Sequence, residues 1–192
     1  MKATIILALC AAIAAPLIAA EPTTALLIVD IQDFYFPGGK MPLVEPEAAA
    51  ANAGKILAAF RAEGKPVIHV RHDAEPGGSI HASVAPIEGE KVFTKSEVSC
   101  FNGTQLLAYL KEIGVERLVI VGMQTHMCLE AAVRAAHDLG FEITVISDAC
   151  ATRDLTYGDR TVPAADVQAS TLATLDRIYA KIVDTETFLS GE

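Results

Sequence analysis

Three glycines, Gly64, Gly114 and Gly140, each follow a helical stretch and stand a few residues ahead of an apolar run. A left-handed helix cap belongs at such a point, because glycine takes a positive φ without a Cβ penalty. The apolar runs read as strands at residues 25–30, 66–71, 92–95, 117–122, 142–147 and 181–184. Helical periodicity fills the gaps at about 46–63, 104–113, 127–139 and 163–178. The early strands are almost uninterrupted apolar runs, as expected where helices cover both faces of a parallel sheet. The pattern predicts an α/β fold: a three-layer α/β/α sandwich around a doubly wound, mainly parallel sheet of about six strands, with right-handed crossovers.

The 192 residues, 52% hydrophobic and 20% charged, suit one compact domain, and no repeat or interdomain linker interrupts the alternation. Residues 1–20 fall outside that pattern. Lys2, an apolar stretch from Ile5 to Leu17 broken by Pro16, and Ile18-Ala19-Ala20 before Glu21 read as a cleaved signal peptide. An uncleaved anchor is the alternative, though the stretch is short for a membrane span. The expected product is a domain from 21 to 192, secreted or periplasmic, with no stable membrane association after cleavage. Cleavage removes Lys2, the only charge in the leader, so the formal net charge of −9 becomes more negative by one. An acidic domain without a Lys/Arg cluster repels phosphate backbones, which excludes nucleic acid as a partner.

Export also removes Cys10 and leaves Cys100, Cys128 and Cys150. An odd number in an oxidising compartment leaves at least one thiol free or paired between chains. No CxxC pair is present, so neither a thioredoxin-type redox site nor a cysteine-rich zinc site is supported. No G-x-G-x-x-G follows the first strand, which argues against a dinucleotide-binding domain.

Cys128 lies in the run Val119-Ile120-Val121-Gly122-Met123-Gln124-Thr125-His126-Met127-Cys128-Leu129-Glu130, where a strand hands over to a helix. Unpaired backbone N–H groups at a helix start favour negative charge, so a lowered thiol pKa is expected. An inert buried cysteine is the competing reading. The polar neighbours Thr125, His126 and Glu130 favour a crevice, and hence a nucleophile. Doubly wound sheets bind ligands beyond the carboxyl ends of their strands, at the switch point. Asp30 ends the first predicted strand, Lys95 the third, and Cys128 follows the fourth. Alone, Asp30 reads as a turn residue and Lys95 as a surface charge; together with Cys128 they suggest one site.

These residues and their spacing resemble the isochorismatase-like cysteine hydrolases, a family that includes nicotinamidases and N-carbamoylsarcosine amidase. The resemblance runs from Ala25-Leu26-Leu27-Ile28-Val29-Asp30-Ile31-Gln32 through Phe93-Thr94-Lys95-Ser96 and Phe101-Asn102-Gly103-Thr104. It continues through Gly122-Met123-Gln124-Thr125 with Cys128 to Asp148-Ala149-Cys150-Ala151-Thr152. It implies a catalytic triad of Asp30, Lys95 and Cys128, and a cis peptide between Met123 and Gln124. In the implied chemistry Asp30 takes the thiol proton, Lys95 stabilises developing charge, and the thiolate attacks an amide-like carbon. The backbone N–H groups of Gln124 and Cys128 are the expected oxyanion donors.

One segment departs from the nicotinamidases, which bind a metal through an Asp-x-His motif after the second strand. Here the segment is Val70-Arg71-His72-Asp73-Ala74, followed by His81. His72 stands where the metal-binding Asp is expected, and Ala74 where the first His is. No metal or cofactor is therefore expected, with a two-histidine site at His72 and His81 as the alternative. Expected substrate-binding residues are Phe34, Phe36, His72, Phe101 and Arg153. Arg153 offers a fork of donors for a substrate carboxylate, against an ordinary ion pair with Asp154. Pro37-Gly38-Gly39 reads as a turn and a mobile lid.

The sequence thus points to an exported amidohydrolase acting on a small amide or carbamoyl compound and expected to form a homo-oligomer. The alternatives are an isochorismatase-type vinyl-ether hydrolase, which works without a cysteine nucleophile, and a non-catalytic small-molecule-binding module on the same fold.

Overall fold

The computed structural model describes residues 23–191; the expected signal peptide and Cys10 lie outside them. Six parallel strands form one sheet in the order β3-β2-β1-β4-β5-β8. They are β1 (Thr23–Val29), β2 (Val67–His72), β3 (Lys91–Lys95), β4 (Val115–Met123), β5 (Glu142–Ala151) and β8 (Lys181–Val183). The chain reverses its winding direction between β1 and β4, so the switch point predicted from the alternation lies beyond those two strands. Among the described residues β3 is an edge strand that pairs with β2 alone.

Both faces of β1 are covered, which explains its unbroken apolar sequence. Leu27 and Val29 pack on one side with Leu106 and Leu110 of α2 (Leu106–Glu112) and Val133 of α3 (Glu130–Asp138). Leu26 and Ile28 pack on the other with Ala53, Ile56 and Phe60 of α1 (Pro46–Ala62). Each fully buried Leu or Ile contributes roughly 1.5–3 kcal/mol relative to exposure. Gly64, Gly114 and Gly140 follow their helices at φ 64°, 68° and 91°, as a left-handed stop requires.

Several boundaries differ from those expected. Gly122 pairs with Val29 at φ 144°, and a Cβ there would lie 2.0 Å from the Val29 carbonyl oxygen. Only glycine lets β4 pass β1 so closely. In the next ladder Ile120 pairs with Val145 but Gly122 with Cys150, so β5 bulges and continues to Ala151 instead of stopping at 147. α4 (Ala164–Leu175) ends before 178, where Arg177 turns at φ 65°. The hairpin of β6 (Leu155–Tyr157) and β7 (Arg160–Val162) and the short α5 (Thr185–Ser190) were not anticipated. The hairpin is exposed along most of its length and α5 is under two turns, so neither carries a strong hydrophobic period.

Away from the switch point, a buried polar knot joins β2 to α1. Glu90 accepts from Arg61 Nε at 2.7 Å, from Arg61 Nη2 at 2.8 Å and from the Ile87 N–H at 3.0 Å, and it meets His69 Nε2 at 2.8 Å. Among the described residues His69 Nδ1 has no partner, which suits a neutral ring with its proton on Nε2. Burial lowers the His69 pKa. Burial works against the Glu90 charge, but Arg61, the Ile87 N–H and His69 outweigh it and hold the carboxyl at about 2.

Candidate active site

Asp30 follows directly on β1 and donates its N–H to the Val70 carbonyl at 2.9 Å. Its φ of 51° is left-handed, a conformation Asp tolerates better than most residues and one that collects at functional sites. Lys95 is the last residue of β3 and stands in register with His72 of β2. Cys128 lies in a π-helical turn, Thr125–Leu129, where Leu129 N–H reaches back five residues to the Gln124 carbonyl at 3.3 Å. Such turns recur at functional sites because the widened ring re-aims one side chain. The peptide between Met123 and Gln124, just ahead of that turn, is cis, as the resemblance implies.

Three segments far apart in sequence thus meet. Lys95 Nζ lies 2.7 Å from Asp30 Oδ2 and 3.2 Å from Cys128 Sγ. The ammonium also donates to the Glu97 carbonyl at 3.1 Å and sits 3.4 Å from His72 Nδ1. The Lys95 and Asp30 side chains are both fully inaccessible. The Asp30–Lys95 contact is close but poorly directed, and neither Asp30 oxygen has a well-oriented hydrogen bond among the described residues. An ion pair rather than a hydrogen-bond network therefore compensates the buried carboxylate.

Burial raises the Asp30 pKa, and Lys95 only partly offsets it. Burial also opposes the Lys95 charge, but Asp30 and then Cys128 outweigh it, so Lys95 is held above the ordinary lysine value. The Cys128 thiol is pushed up to about 12, first by burial and then by the Asp30 charge, with Lys95 pulling the other way. This corrects the expected lowered thiol: the helix-start field is outweighed by desolvation and a neighbouring carboxylate. Cys100 and Cys150 are free, buried and likewise raised to about 12, chiefly by burial.

The Gln124 N–H donates to no backbone carbonyl among the described residues, which leaves it available beside Cys128. The Gln124 side chain accepts from Arg153 Nε at 3.1 Å and lies 3.4 Å from the Tyr35 hydroxyl. Arg153 makes no ion pair with Asp154; it reaches only the Asp154 carbonyl, at 3.5 Å, while the Asp154 carboxylate caps α4 at the Ala164 N–H. Thr125 donates to Gln168 of α4 at 2.5 Å, which ties the Cys128 turn to a helix that packs on the same side of the sheet as α3.

The predicted aromatic residues have packing contacts. Phe34 lies 4.2 Å from the Tyr35 ring, Phe36 stacks on His81 at 3.7 Å, and Phe101 stacks near Phe141 at 6.3 Å. The Pro37-Gly38-Gly39 turn is bonded down: Gly39 and Met41 donate to Phe36 and Phe34 carbonyls, each at 2.9 Å. Gln32 is the residue that sequence reasoning overlooked. Fully buried, it donates to the His72 and Gly78 carbonyls at 2.9 and 2.7 Å and accepts from the His72 N–H at 2.8 Å. Its place two residues beyond Asp30 was the available signal.

The residues near the expected metal position do not fit a metal. His72 Nδ1 faces the Lys95 ammonium, and His81 Nδ1 meets Ser83 Oγ at 2.8 Å while its ring stacks on Phe36. Ala74 offers no ligand, and the described residues contain no group of three or more His, Cys, Asp or Glu able to hold a metal ion.

The fold and the buried Asp, Lys and Cys beyond β1, β3 and β4 define a doubly wound α/β protein with a polar site at the switch point. The Isochorismatase domain model matches residues 24–186, and the chain belongs to the isochorismatase family of hydrolases. It is 46% identical over 178 residues to the isochorismatase family protein YddQ of Bacillus subtilis, covering 87% of this chain and 99% of that protein. It is 33% identical over 168 residues to a streptothricin hydrolase of Streptomyces noursei, covering 81% of this chain and 66% of that one. A crystal structure of an Oleispira antarctica protein assigned as an isochorismatase hydrolase superposes with a TM-score of 0.86 at 45% identity, covering 90% of this chain and 99% of that chain.

Proposed function

We propose that this protein is a cysteine hydrolase that cleaves the C–N bond of a small amide or carbamoyl compound without a metal. The observation that carries the reading is the position of Lys95 Nζ, 2.7 Å from Asp30 Oδ2 and 3.2 Å from Cys128 Sγ. A carboxylate made more basic by burial suits the removal of a proton from a thiol that does not ionise alone. Asp30 takes that proton as the sulfur attacks the carbonyl carbon. The oxyanion is met by the Gln124 and Cys128 N–H groups, and Lys95 balances the added negative charge. Collapse breaks the C–N bond, and the amine or ammonia leaves with the proton from Asp30. Water, deprotonated by the same carboxylate, then cleaves the thioester to release the acid and restore the thiol.

Arg153, held through Nε by Gln124 and without a carboxylate partner among the described residues, supports a substrate that carries an anionic group. We also assign residues 1–20 to export; N-terminal sequencing of the protein from the producing cells checks this. The catalytic reading is tested by an ammonia-release screen over small amides, ureas and carbamoyl acids, with Cys128→Ala as the blank. Release that persists at full rate in Cys128→Ala would sink it.

A further inference from the structure

Among the described residues, His72 is the titratable side chain in contact with Lys95 that the proposed hydrolysis leaves unused. It ends β2 directly opposite Lys95, and its Nδ1 lies 3.4 Å from Lys95 Nζ. An ammonium has only donors, so the imidazole nitrogen facing it must offer a lone pair. That places the proton of the neutral ring on Nε2 and makes Nδ1 the third acceptor of the ammonium, beside Cys128 and the Glu97 carbonyl, with Asp30 paired to it by charge. The placement is built, not incidental. Gln32, fully buried, grips both the N–H and the carbonyl of His72, and so fixes the backbone that aims the ring.

We propose that His72 is a positioning residue for Lys95, acting through Nδ1 as an acceptor that holds the ammonium in place. Arg71, its neighbour on β2, is turned away toward Thr94 Oγ1 at 3.1 Å and the Gly78 carbonyl at 3.3 Å, so it does not compete for the Nδ1 contact. Without an acceptor at Nδ1, Lys95 loses one of the contacts that fix it between Asp30 and the sulfur, and misplacement by about an ångström can cost on the order of 100-fold in rate.

The kinetic arm of the test rests on the hydrolase reading above, and the spectroscopic arm does not. Nitrogen-15 NMR of the imidazoles, with His72 assigned by its loss in His72→Asn, should show the proton of the neutral ring on Nε2. A neutral ring with its proton on Nδ1 overturns the inference whatever the protein hydrolyses. In kinetics, His72→Leu should lose about 100-fold in kcat/KM. Asn places an oxygen where Nδ1 was, so His72→Asn should recover to within about tenfold of the wild type. His72→Leu at wild-type activity, or His72→Asn no more active than His72→Leu, also overturns it. Activity that survives in Cys128→Ala sinks the hydrolase reading and leaves the NMR result to decide the role of His72.

Discussion

The Lys95 ammonium stands 3.2 Å from the Cys128 sulfur, yet burial and then the Asp30 carboxylate outweigh that cation and push the thiol up to about 12. On the proposed mechanism the nucleophile therefore rests as a thiol beside a base, not as a preformed thiolate. Capture of Cys128 by iodoacetamide should rise about tenfold per pH unit above neutrality, since the thiolate fraction sets the rate. A plateau reached near neutral pH would show a preformed thiolate.

Asp30→Asn and Lys95→Met should fail in different ways. Asn removes the proposed base and should lower kcat/KM by about 10²–10⁴-fold. Met leaves Asp30 buried without its counter-ion, so unfolding should become easier by about 3–5 kcal/mol unless the carboxyl is protonated. Paired kinetics and urea unfolding separate the two outcomes. Lys95→Met unfolding like the wild type at neutral pH would show that Asp30 is neutral in the resting site.

The Glu90 knot should set the acid stability. With its folded pKa depressed to about 2 from an ordinary 4.5, Glu90 contributes stability that is complete above 4.5 and is lost as pH falls toward 2. His69, lowered from an ordinary 6.5 by burial, acts in the same direction, and its share starts to disappear as pH falls below 6.5. Glu90→Gln should cost about 1.5–3 kcal/mol at pH 7, and its denaturation curve should converge on the wild type near pH 2. A constant gap across that range would show that packing rather than charge is responsible.

Gly122→Ala should be among the most damaging single methyl additions. The new Cβ meets a backbone oxygen at 2.0 Å, which no rotamer can relieve, and the φ of 144° suits glycine alone. A loss of more than about 3 kcal/mol is expected, together with loss of activity as the end of β4 shifts. A thermal melt close to the wild type would contradict the packing described between β1 and β4.

Strand ends were legible in the sequence wherever burial on both faces left an uninterrupted apolar run, as in β1 and β4. That was enough to bring Asp30, Lys95 and Cys128 to one edge of the sheet. The direction of the thiol shift was not legible. Helix position can be read from spacing, whereas desolvation and the Asp30 charge depend on three-dimensional distance. Gln32 escaped for a related reason: a buried amide that satisfies the end of β2 and the loop after it looks like any polar residue in a loop. The β5 bulge is a matter of register with β4, and no period within residues 142–151 encodes it.

The strand carrying Lys95 lies at the sheet's margin, zipped to a single neighbour and ending at the one buried residue of its five. Margins of this kind fray before centres do. The cation assigned to the proposed chemistry is thus mounted on an edge strand, while Asp30 and Cys128 follow interior strands. Heating should accordingly disarm the protein before it melts: amide exchange in β3 should accelerate, and turnover should vanish, at temperatures where β1 and β4 still hold. The edge strand works as a fuse whose failure leaves the core intact and, on cooling, ready to re-form the site.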